Sequence, residues 1–86
     1  MINKYRKEID KIDSEIIKLL SERKKTILKI GEYKKEKKIK PFDKKREKEI
    51  FNKLKQKANK ENLDEKYLKK VFKIVVGHSK RIQRKL

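Results

Sequence analysis

Four polar side chains stand where a helical pattern calls for apolar ones. Arg23 occupies the heptad slot between Leu19 and Ile30, and Lys34 follows Leu20 and Ile27 at steps of seven on the edge of the same stripe. Ser79 comes one turn after Val75, and Gln83 one turn after Ser79, both beside Val76 and Ile82. Buried charges need partners and buried amides need hydrogen bonds. Taken singly, each has a plain explanation. Arg23 and Lys34 lay their stems over apolar surface and keep their charge in water, while Ser79 and Gln83 bond within a bundle. Taken together, on two helices able to face each other, they line a small cationic, donor-rich pocket suited to a carboxylate ligand. The sequence offers no nucleophile-and-base set. It has no Cys, and its one His, His78, reads as a helix surface residue, because it lacks the convergent partners that a catalytic base requires. No metal and no cofactor is expected.

The elements that position these residues follow from periodicity. Ile2, Tyr5, Ile9, Ile12, Ile16, Leu19, Ile27, Ile30 and Tyr33 keep a three-four spacing that predicts one amphipathic helix from about Asn3 to Glu36. No Pro interrupts it, and Gly31 weakens it slightly near its end. At about 1.5 Å per residue it is roughly 50 Å long. A compact domain of this size has a radius of gyration of only about 12–13 Å. The helix must therefore overhang its own domain, and its apolar stripe needs a second chain.

Lys37 to Phe42 reads as a loop, since Pro41 disfavours helix at Lys40. Asp43 is placed to cap a second helix, about Lys44 to Asn59, whose apolar face is Ile50, Phe51, Leu54 and Ala58. Asn62-Leu63-Asp64 breaks the pattern again. Asp64 can cap a third helix, about Glu65 to Arg84, with Leu63 and Leu68 placed as a hydrophobic staple. Its inner stripe is Leu68, Val71, Phe72, Val75, Val76 and Ile82. There is no strand pattern, no repeat and no Gly-rich phosphate loop. The expected fold is all-α, a single domain over residues 1–86, with three helices per chain forming an intertwined helical homodimer.

Composition bounds the rest. With 86 residues and no disulfide, the chain is short for a self-sufficient core, and a partner chain is the remaining way to enlarge it. No apolar run approaches the roughly 20 residues needed to cross a bilayer. Met1 to Arg6 lacks the apolar core of a signal peptide, so the expected location is cytoplasmic. Thirty Lys and Arg against 13 Asp and Glu leave a net charge of +17. That balance suits an anionic partner, nucleic acid included, but a Lys-rich solvated face produces it equally well.

The ordered residues resemble a known family. Arg6, Ile9-Asp10, Ile12-Asp13 and Ile16-Ile17-Lys18-Leu19-Leu20-Ser21-Glu22-Arg23 look like the opening of the all-helical chorismate mutases, with Lys34 at the expected eleven residues. Asp43 and Arg46-Glu47 are similar to the family's acidic residue and Arg-Glu pair, and Ser79 with Gln83 to its Ser-x-x-x-Gln signature. The similarity runs from about Tyr5 to Gln83. Each motif is weak alone, and the ordered set with matching gaps is specific.

The resemblance implies conversion of chorismate to prephenate, a unimolecular [3,3] rearrangement on the path to Phe and Tyr. It needs no nucleophile and no metal. It implies Arg23, and Arg6 of the partner chain, as clamps on the two carboxylates. Lys34 and Gln83 would donate to the ether oxygen, where charge grows as the C–O bond breaks. Glu47 would hold the ring hydroxyl, and Asp43, Arg46 and Ser79 would complete the hydroxyl and carboxylate contacts. Lys34, Gln83, Arg23 and Glu47 thus form the expected catalytic set.

Geometry supports the trans position of Arg6 without the family. Arg6 and Lys34 are 28 residues apart on one helix, roughly 42 Å along its axis. Arg23 and Lys34 are about 16 Å apart, within reach of two long side chains around a small ligand. If the helix crosses an antiparallel copy near Ile17, Arg6 of one chain lies beside Leu28 of the other, and two equivalent sites follow from the twofold axis.

Two features depart from the family pattern: Pro41 sits one position late, and Val76-Gly77-His78 replaces a stretch that is often acidic. The nearest rival is isochorismate pyruvate lyase, which shares the fold and the basic pocket. Glu47 favours the mutase. A basic helical nucleic-acid binder would show exposed aromatics for stacking, whereas the six aromatics here fall mostly at core spacing.

Overall fold

The computed structural model describes residues 1–40 and 44–86. It contains three helices, α1 (Ile2–Glu36), α2 (Lys44–Lys60) and α3 (Glu65–Arg84), and no strand among the described residues. The helix boundaries agree with the periodicity to within a residue. Pro41, Phe42 and the expected cap Asp43 lie outside the described residues. No helix among the described residues is long and apolar enough to cross a membrane.

Both helix ends that precede a connection are closed in the same way. After α1, Ile39 N–H donates to Lys34 O at 2.8 Å and Lys38 N–H to Lys35 O at 3.2 Å, with Lys38 at φ 57°. After α2, Leu63 N–H donates to Ala58 O at 2.8 Å and Asn62 N–H to Asn59 O at 3.4 Å, with Asn62 at φ 56°. These are the paired bonds of a Schellman ending. Asn tolerates the left-handed region, and Lys does so at a cost. The start of α3 is capped as expected, the Asp64 carboxylate accepting from Lys66 N–H at 2.9 Å.

The central helix is α3. It packs against both α1 and α2, whose backbones do not approach each other among the described residues. The α2–α3 seam buries Leu54, Ala58 and Val76, with Ile50, Phe51 and Phe72 half-buried beside them. The α1–α3 seam is made differently. Its buried α1 residue is Gly31, flanked by half-buried Ile27 and Leu28. A Cβ built on Gly31 would lie 2.5 Å from Leu86 Cδ1 and 3.2 Å from Gln83 Cγ. The glycine thus admits α3 close to α1, and its modest helix penalty has a packing cause.

The α1 stripe behaves in two ways. Ile27 contributes to the seam. Ile2, Tyr5, Ile9, Ile12, Ile16 and Leu19 are all exposed, as are Ile30 and Tyr33. The molecule measures 55 × 24 × 16 Å, with a radius of gyration of 15.9 Å, well above the compact value. The overhang is real, and the single chain leaves its apolar face in solvent.

Candidate functional site

Helix α3 carries two buried polar side chains, Ser79 at 2% exposure and Gln83 at 4%. They are one turn apart and face α1, as the broken stripe requires. Arg23 Nη1 donates to Ser79 Oγ across the seam, and Ser79 Oγ donates in turn to Val75 O at 3.1 Å. Gln83 Nε2 donates to Ile27 O at 3.2 Å. A primary amide has two N–H donors, so this bond leaves the second hydrogen for another acceptor. Gln83 Oε1 is buried without a hydrogen-bond partner among the described residues. An unsatisfied buried acceptor costs on the order of 1–3 kcal/mol, which a ligand or water in the seam would recover.

Arg23 is half-buried, and its pKa lies below the usual arginine value. Burial is the larger cause, and the positive charge of Arg46 is the second. Arg46 therefore lies within electrostatic reach of Arg23, although it belongs to α2. It also pairs with Glu49, Nη1 to Oε2 at 3.3 Å. A half-buried guanidinium whose charge is felt by a second, exposed one favours a nearby anion.

Glu47 sits in the first turn of α2, where the helix dipole favours a carboxylate. It forms an ion pair with Lys80 of α3. Lys34 is half-buried on α1, and its neighbour Lys35 donates to Leu86 O. Arg6 is exposed on the overhang, 17 residues before Arg23, or about 26 Å along the axis. Within one chain it stands apart from the seam. Asp43 lies outside the described residues.

The structure therefore joins Arg23, Ser79 and Gln83 at one seam, brings Arg46 into electrostatic range, and ties Glu47 to α3. A groove of about 380 Å³ takes in only part of this set. Arg23 and Ser79 line it together with Leu20, Ile74, His78 and Ile82. His78 is exposed there, as expected of a surface residue. A smaller cavity of about 240 Å³ lies along the α2–α3 seam and includes Glu47, Phe51 and Lys80. No group of three or more possible metal ligands occurs among the described residues.

Sequence reasoning passed over two residues. Lys80 follows Val76 by one turn on the stripe facing α2, which is the signal that finds it. Gly31 was read as a weak point, and its contact with Gln83 emerges only when α1 and α3 are packed.

The central helix of this three-helix chain presents Ser79 and Gln83 to a part-buried Arg23, with Arg46 within electrostatic reach, an arrangement chemically suited to an anion. The type II chorismate mutase model matches residues 5–84, and the chain belongs to that family. The chorismate mutase of Methanocaldococcus jannaschii is 35% identical over 79 residues, 92% of this chain and 80% of that protein. The bifunctional chorismate mutase/prephenate dehydratase of Buchnera aphidicola subsp. Acyrthosiphon pisum is 38% identical over 82 residues. Its counterpart from subsp. Schizaphis graminum is 37% identical over 82. This chain spans 21% of the length of each bifunctional relative. No solved structure matches.

Proposed function

We propose that this chain isomerises chorismate to prephenate at the α1–α3 seam, as part of Phe and Tyr biosynthesis in the cytoplasm. The observation that carries the site is the convergence of Arg23, Ser79 and Gln83, with Arg46 close enough to lower the Arg23 pKa. In the reaction one C–O bond breaks and one C–C bond forms within a single molecule. No proton need move. The protein's task is to hold the dianion in its reactive chair and to meet the charge that grows on the ether oxygen.

Arg23 and Arg46 supply charge-assisted donors to a carboxylate, and Ser79 keeps Arg23 oriented. Lys34 and the second N–H of Gln83 donate to the ether oxygen. Glu47 accepts from the ring hydroxyl, and Asp43 completes that contact. Even a millionfold acceleration asks for roughly 8 kcal/mol from these interactions together.

The acting unit is a homodimer in which the overhang of α1 lies against a second copy. The half-exposed isoleucines Ile9, Ile12 and Ile16 support this, since covering what each still exposes gains on the order of 1 kcal/mol. So does the groove beside Arg23 and Ser79, whose apolar lining includes exposed Leu20 and Ile74 and suits a partner helix better than a dianion. Arg6 would then enter the partner's site, which its distance from Arg23 requires.

The test is loss of chorismate absorbance with purified protein and identification of the product. Prephenate is expected. Inertness toward chorismate, or release of pyruvate from isochorismate in its place, would overturn the reading.

A further inference from the structure

Glu47 is the one carboxylate of the expected site within the described residues, and a flexible Glu at the first turn of a helix does not hold its own direction. Its side chain is 26% exposed, and Oε1 is buried. What lies against that oxygen is the ammonium of Lys80, whose side chain is 31% exposed. The two span the α2–α3 seam beside a cavity that Phe51 and Val76 also line. Lys80 follows Ser79 directly in the chain, so the helix that orients Arg23 through Ser79 also orients Glu47 through Lys80.

We propose that Lys80 is a positioning residue for the rearrangement, fixing the Glu47 carboxylate so that it meets the ring hydroxyl of the substrate. This rests on the reading of the seam as a chorismate site. A partly exposed ion pair contributes little to stability, so a purely structural purpose accounts poorly for a Lys facing a half-dry seam. Orientation is different, because a carboxylate displaced by about 1 Å loses much of its catalytic value. Lys73, the other cation lining the cavity, is on the same helix and two turns away, and no ion pair between it and Glu47 is seen.

Steady-state kinetics on the full chain decide the matter, with Lys80→Met, Lys80→Arg, Glu47→Gln and the Glu47→Gln/Lys80→Met double variant. Lys80→Met keeps the stem and removes the ammonium. It is expected to lose about tenfold in kcat/KM while its thermal midpoint barely moves, as for a misaligned binding group. Lys80→Arg should restore most of the loss. In the Glu47→Gln background the Lys80→Met change should add nothing further, because the group it positions is gone. A wild type inactive on chorismate would sink the functional reading itself. An active wild type with normal kcat/KM in Lys80→Met, or with losses that add in the double variant, would overturn the role of Lys80 alone.

Discussion

The two halves of α1 share one pattern and have opposite surroundings. From Ile2 to Leu20 the apolar residues recur at three-four spacing and lie in solvent, Ile9 at 55% and Ile16 at 49% exposure. From Arg23 to Lys34 the same helix meets α3, buries Gly31 and half-buries Ile27; Arg23 donates to Ser79 across the seam, and Ile27 O accepts from Gln83. Periodicity announces a face that needs covering and is silent on what covers it. In the second half the cover is α3 of the same chain. In the first it is absent from the single chain, and a second copy is the proposed occupant.

The largest effect is expected in the exposed half. Ile12→Asp puts a charge on a face proposed to be buried between copies, and sedimentation should show single chains with activity lost. Mixing Arg6→Ala with Lys34→Ala chains separates the two halves directly. If each site draws Arg6 from one chain and Lys34 from the other, random exchange should restore about a quarter of wild-type turnover. Recovery no greater than either parent would place both residues in one chain or outside the site.

Arg23→Ala addresses the packed half. Removing a preorganised donor from charge stabilisation lowers turnover by about 10²–10³-fold. Helicity by circular dichroism and the sedimentation of the proposed dimer should persist, since Arg23 is only half-buried and its proposed role is toward a ligand. Simple unfolding of this variant would mean that the Arg23–Ser79 bond is structural.

The pH profile sharpens the same point. The folded pKa of Arg23 is lowered, so the folded chain binds its proton less tightly than the unfolded one. Its contribution opposes folding while the group is charged and is relieved only as pH rises through that lowered value. Over about pH 5–9 an arginine stays charged, and the amide of Gln83 does not titrate, so activity should be nearly flat there. Gln83→Glu should change this. Its neutral acid can donate to the ether oxygen, whereas its carboxylate repels the growing charge, so activity should fall as pH rises through the carboxyl pKa. Equal turnover at low and high pH would remove Gln83 from the ether oxygen.

The smallest effect is expected from Gly31→Ala. The new methyl gains up to about 1 kcal/mol in helix propensity. It also forces Leu86 aside and presses on Gln83 Cγ from 3.2 Å. Thermal stability should therefore change little while kcat falls several-fold, through displacement of the Gln83 amide. A kcat equal to wild type would show that the close approach of α3 serves packing alone.

Three helices, their ends and their facing stripes were legible because helical side chains repeat every 3.6 residues, and a polar residue on an apolar stripe needs a partner. That logic finds Arg23, Ser79 and Gln83 before any packing is known. The same logic does not sort Ile9, in solvent, from Ile27, in the seam, because both obey one period and differ only in what lies opposite. Nor does it find the use of Gly31, whose value is the absence of an atom where Gln83 and Leu86 come close. Spacing marks Lys80 as a basic residue one turn after Val76, but its partner Glu47 appears only when α2 is laid beside α3. One-dimensional spacing specifies which face of a helix is special. Which face it meets depends on distances between residues far apart in the chain, and those exist only in the packed structure.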